Sequence, residues 1–197
     1  MSSIERQAIT GVNETVQAIR EAQKNHEDQE HFLTLVSFNS EKVKTIYDVV
    51  KAENVEELTN QQYCPSCCTP LYDAMGNALT ALRKHVADND AVLVTVITDG
   101  YENASTEYDG KAIKALVESL KAKGWVFTYI GANQDVESVA ASISITNTLS
   151  FSADCEGTEA MFATERKARN RWFSRLANKV SPMTMVDDYF SEDEKED

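Results

Sequence analysis

The residues best placed to do chemistry gather around one carboxylate. Asp99 follows the apolar run Ala91–Ile97 and Thr98, and is followed by Gly100, Tyr101, Glu102 and Asn103. A carboxylate leaving a buried strand beside a glycine stands where backbone can approach closely, and it suits a hard cation. Mg²⁺ takes oxygen ligands in octahedral geometry and keeps several of its waters, so a sparse set of a carboxylate and a hydroxyl is the kind it accepts. Thr69 offers that hydroxyl, because Thr69-Pro70 opens a predicted helix with the threonine as N-cap and the proline in the first turn. The plainer reading of Asp99 is a cap for the next turn. Asp73, one helical turn after Thr69, would support the same site by hydrogen bonding, or serve as an ordinary first-turn acid favoured by the helix dipole.

A second cluster is sulfur. Cys64 and Cys67 have the C-x-x-C spacing of a zinc knuckle or redox pair, with Cys68 and the distant Cys155 as further thiols. No second C-x-x-C follows, and Cys67 and Cys68 read equally as small residues on a rim. No G-x-S-x-G, Walker loop or G-x-G-x-x-G occurs, and His26, His31 and His85 lie in polar segments apart from Asp99. Hydrolase and nucleotide-binding chemistry therefore lack their usual residues.

The elements that must position these groups alternate. Apolar residues from Ile4 to Ile19 recur every three or four positions, predicting an amphipathic helix over residues 2–23. Two β-rich runs, His31–Asn39 and Val43–Val50, follow closely enough for an antiparallel hairpin. The helix from Thr69 carries an apolar face of Leu71, Met75, Leu79 and Leu82, and Ala91–Ile97 reads as the best core strand. A helix from Gly110 to Lys123, stopped by Gly124, leads into a strand at Trp125–Ile130. A short helix, Val136–Ser142, a strand, Thr148–Phe151, and a last helix, Thr158–Lys179, complete the series. The pattern predicts an α/β fold, doubly wound, with a mostly parallel sheet and helices on both faces, whose chemistry sits at the carboxyl ends of the strands.

Composition narrows the class. The 197 residues are 42% hydrophobic and 26% charged, with a formal net charge of -13. Residues 187–197 hold seven acids and one lysine, so about half of that charge belongs to the end of the chain. Division into one domain, residues 1–180, and an acidic mobile tail, residues 181–197, follows. Nucleic acid and anionic membrane surfaces are disfavoured as partners by electrostatics, although Arg166, Lys167, Arg169, Arg171 and Arg175 make the last helix basic. That helix reads as a solvated face onto which the acidic tail can fold. No apolar run spans a bilayer and no signal-peptide centre is present, so the expected location is cytoplasmic, with reduced thiols.

Three fragments in order, Thr69–Ala74, Val96–Asn103 and Phe127–Asn133, together resemble a von Willebrand factor type A domain of the bacterial kind, over roughly residues 1–179. The resemblance implies a metal-ion-dependent adhesion site holding Mg²⁺ or Mn²⁺, whose open position is filled by an acidic residue of a protein partner. Such domains bind and do not usually catalyse. The family site has an Asp-x-Ser-x-Ser motif after the first strand, a threonine at a later helix start and an aspartate after the fourth strand. Thr69 and Asp99 match the last two, with Asp73, Gly100 and Asn103 at the rim. The first part is absent, and Met1-Ser2-Ser3 looks like the position directly after it. The resemblance thus implies a sheet lacking its first, central strand and weak or no Mg²⁺ binding by this chain. The expected function is a protein-interaction module with a partial cation site. A homodimer or complex would cover the open sheet. The alternatives are a Mg²⁺-dependent hydrolase or phosphotransferase using Asp99, or an assembly subunit completed by strand addition from another chain.

Overall fold

A computed structural model describes residues 4–191, apart from Glu27, Ser40, Lys42, Cys64, Ser66, Cys67 and Asn133. The fold is α/β. Among the described residues five α-helices, α1 (Glu5–Asn25), α2 (Leu71–Leu82), α3 (Gly110–Lys121), α4 (Val136–Ser142) and α5 (Cys155–Ala177), accompany five strands. β1 (Phe32–Phe38) and β2 (Val43–Lys51) form an antiparallel pair, while β3 (Leu93–Thr98), β4 (Val126–Gly131) and β5 (Asn147–Ser150) form a parallel sheet in that order. The sequence predicts a mostly parallel sheet and its resemblance a missing central strand; among the described residues the parallel strands β3–β5 and the hairpin β1–β2 form two separate sheets.

Period-two alternation on β4 sorts the helices. Phe127 and Tyr129 join the core beneath α2, α3 and α4. Val126 and Ile130 face the other way, the first into a cluster with Ile19 of α1 and Trp172 of α5, the second against Met161 and Phe162 of α5. Every residue of β4 is buried. In β3, predicted as the best core strand, only Val96 and Thr98 are buried. On the far side α1 and α5 approach so closely that a Cβ on Gly11 would lie 2.1 Å from the Phe162 ring.

Residues 181–191, the described part of the segment read from composition as a mobile tail, pack against the domain. Met185, Val186 and Tyr189 are buried, and the Asn147 side chain on β5 clasps the segment by donating to the Val186 carbonyl (2.7 Å) and accepting from the Tyr189 amide (2.9 Å). Asp188 pairs with Arg175 of the basic helix at 3.2 Å, and Asp187 pairs with Lys121 at 2.7 Å. Beneath this strap Glu165 and Arg169 form a buried ion pair, which the Tyr189 hydroxyl joins by donating to Glu165 (3.0 Å). Burial opposes the charge on Arg169, but Glu165 beside it outweighs that and holds its pKa above the ordinary value. Acidic composition had concealed these anchors, because a few apolar contacts outweigh repulsion among exposed acids.

Candidate functional site

Between the two sheets lies a cavity of about 530 Å³. Thr34–Phe38 of β1 and Leu93–Thr98 of β3 both line it as unbroken runs. A strand shows alternate residues to a space lying on its face, so consecutive lining residues place the cavity along the strand edges. Ala8 and Val12 of α1 with Phe162 of α5 close one side, and Leu71, Met75 and Ala78 of α2 close the other. Asp99 is the one charged side chain in the described lining.

Thr69, Asp99, Gly100 and Asn103 all border this cavity, and Cys68 does too, whereas Asp73, expected at the same rim, is not among the lining residues. A Cβ placed on Gly100 would fall 2.9 Å from Thr69 Oγ1, which keeps the end of β3 hard against the threonine hydroxyl. Gly100 donates its amide to Thr98 Oγ1 at 3.3 Å, tightening the turn that carries Asp99.

Thr69 does not cap α2. Pro70 occupies the N-cap position, with its carbonyl accepting from the Ala74 amide, and the first-turn amides of Tyr72 and Asp73 donate instead to the Glu102 carboxylate (2.9 Å) and the Ser105 hydroxyl (3.0 Å). Thr69 is held instead by Asn103, whose side-chain oxygen accepts from the Thr69 amide (2.8 Å) and whose own amide donates to the Thr69 carbonyl (3.2 Å). This pairing across 34 residues fixes the threonine without using its hydroxyl. A local capping rule had no means of finding it.

Asp73 faces the loop that follows Asn103. Its carboxylate accepts from the amides of Thr106 (2.8 Å), Glu107 (2.9 Å) and Tyr108 (2.8 Å). Burial pushes the Asp73 pKa up, but these three amides outweigh it and hold the carboxyl below its ordinary range. Glu102, which sequence reasoning passed over, does the matching work from the other side. It accepts from the amides of Tyr72 (2.9 Å), Ala104 (2.9 Å) and Ser105 (2.8 Å) and from the Ser105 hydroxyl (2.7 Å). Burial again raises its pKa, and the bonds from Ser105, Tyr72 and Ala104 bring it below the usual value. The available signal was a polar stretch, residues 102–107, whose amides have no strand or helix to pair with.

Both acids are thus committed to ordering the loop. Thr69 and Asp99 both line the cavity end, a hydroxyl and a carboxylate that make a corner of a hard-cation site and not a full cradle. Among the described residues no group of three or more His, Cys, Asp or Glu is arranged to hold a metal. Cys64 and Cys67 lie outside the described residues; Cys68 and Cys155 are exposed free thiols. Of the histidines, His31 packs edge-on against Phe173 at 4.9 Å, and burial lowers its pKa.

Neither a scan of family models nor a search of curated proteins finds a match to this chain. No helix among the described residues is long and apolar enough to cross a membrane.

Proposed function

We propose that this chain is a protein-interaction module whose partner docks at the rim formed by Thr69, Asp99, Gly100 and Asn103, above the cavity between the sheets. The observation that carries the reading is the convergence of two oxygen-bearing side chains, from a helix start and a strand end, on one border of an apolar cavity. The loop beside them is fixed by Asp73 and Glu102, so the rim is preorganised. The resemblance to von Willebrand factor type A domains fits this arrangement, with a divalent cation between the rim and an acidic residue of the partner. Two donors do not complete such a cation's shell, so the chain by itself is expected to bind Mg²⁺ or Mn²⁺ weakly or not at all.

The test is capture of partner proteins by the immobilised chain, comparing wild type with Asp99→Ala and Thr69→Ala. Proteins retained by the wild type and lost with both variants support the rim, whereas an unchanged retained set overturns it. Calorimetric titration with Mn²⁺ accompanies it, and a micromolar constant would contradict the incomplete donor set.

A further inference from the structure

We propose that the cavity between β1 and β3 is a receptor for one extended, uncharged strand of a partner polypeptide, which pairs with both edges and joins the two sheets into one. This deepens the protein-interaction reading by assigning the chemistry of what enters the site below the rim.

The backbone of β3 supplies the first argument. Val126 donates to the Val92 carbonyl (2.9 Å) and Ala132 to the Thr98 carbonyl (3.1 Å), so the even-numbered residues direct their peptide groups toward β4. In a parallel strand the direction alternates residue by residue, which turns the N–H and C=O of Leu93, Thr95 and Ile97 toward the cavity. Among the described residues no strand pairs with that edge, nor with the edge of β1 opposite β2. A row of backbone donors and acceptors beside apolar walls asks for a ligand that is itself a strand, because a compact apolar ligand would leave those groups unsatisfied.

The side chains supply the second. Ala8, Val12 and Phe162 above and Met75, Ala78 and Leu79 below make both faces apolar. An occupant therefore needs apolar residues at successive positions, the pattern of a strand buried on both faces, not the alternating pattern of a half-exposed one. With Asp99 the single charge in the described lining, and a net charge of -13 on the chain, an acidic segment is repelled and a second copy of this chain is a poor guest. The facing runs Thr34–Phe38 and Leu93–Thr98 match a guest of five or six residues.

The experiment uses the full chain and a peptide carrying the sequence of residues 93–98 between flanking glutamates, which removes nonspecific attraction to an acidic protein. Binding is followed by fluorescence anisotropy in chelator, and amide hydrogen exchange is read residue by residue. Protection of Leu93, Thr95 and Ile97 at least about tenfold beyond the peptide-free chain is expected. The same peptide with proline at alternate positions should give none. Ala78→Phe, which fills the cavity from α2, should weaken the peptide by about tenfold or more. Should that variant misfold, Ile97→Pro, which removes a cavity-facing N–H, provides the second blocking change. Equal protection by the proline peptide overturns the proposal, as does binding indifferent to both blocking variants. Protection already complete without peptide also overturns it, by direct closure of the sheets if independent of protein concentration and by self-association if dependent on it. Since the peptide assay contains no cation, it reads the strand site separately from any cation at the rim. Loss of partner capture in Asp99→Ala with no peptide binding would retain the rim and dismiss the strand.

Discussion

β3 and β4 are neighbours of almost equal apolar content, yet they live in different surroundings. β4 is buried at all six positions, whereas β3 is buried at two. The difference lies in their neighbours. β4 has a strand on each side and helices on both faces, while β3 has β4 on one side and the cavity on the other. An apolar run records what a strand needs, and its actual burial records whether every neighbour has arrived.

The comparison can be broken first at Glu165. Arg169 reaches from this buried pair to Thr95 Oγ1 on β3 at 3.4 Å. Glu165→Ala strands the buried guanidinium and should cost about 3–5 kcal/mol in urea unfolding. A cost below about 1 kcal/mol, the range of exposed pairs, would mean water reaches the α5 side of β3 as well.

A direct contrast comes next, because Ile97 and Ile130 are cross-strand partners. Ile130, fully buried, should lose about 3–4 kcal/mol on replacement by alanine. Ile97→Ala should lose roughly half as much, since less apolar surface returns to water. Equal losses would show that β3 is covered as completely as β4 in solution.

The loop at the rim gives a smaller effect with a pH signature. Asp73→Ala should cost about 1–3 kcal/mol near neutral pH, as three amides lose their acceptor. Because the folded pKa values of Asp73 and Glu102 are depressed, their contribution is present above the unfolded carboxylate range, near pH 4, and disappears as pH falls through the folded values. The acid limb of a stability profile should therefore flatten in the variant. An unchanged limb would remove Asp73 from the account.

The least effect belongs to the strap. Asp187 is 65% exposed, so Asp187→Asn should change stability by less than about 1 kcal/mol, and the change should shrink with added salt.

Elements set by local pattern were readable in advance. α4 begins and ends where the sequence placed it, and α3, β4 and the hairpin differ by a few residues at their ends. Asp109, Asp135 and Asp154 cap their helices through side-chain bonds three residues on, a signal contained in a short window. Features made by distant residues were not readable. Thr69 was assigned to a cap because Asn103 lies too far along the chain to enter a local rule, and the loop-ordering role of Asp73 needs the amides of residues 106–108. Placement of Thr69 and Asp99 on one border came from the resemblance and from strand-end reasoning; the geometry of their surroundings came from the structure.

The irregular outer strand β2 and the clasped strap on β5 have a bearing on stoichiometry. Fibres grow when a β-ladder presents a fresh edge after each addition. Here β2 carries Lys44, Asp48 and Lys51 and is interrupted by Val49 at a φ of 50°, while β5 is four residues long with Asn147 occupied by the strap. The inward edges of β1 and β3 share a single space. A strand taken up there, as proposed, would consume both edges at once, so the assembly would stop at one guest per molecule and not propagate.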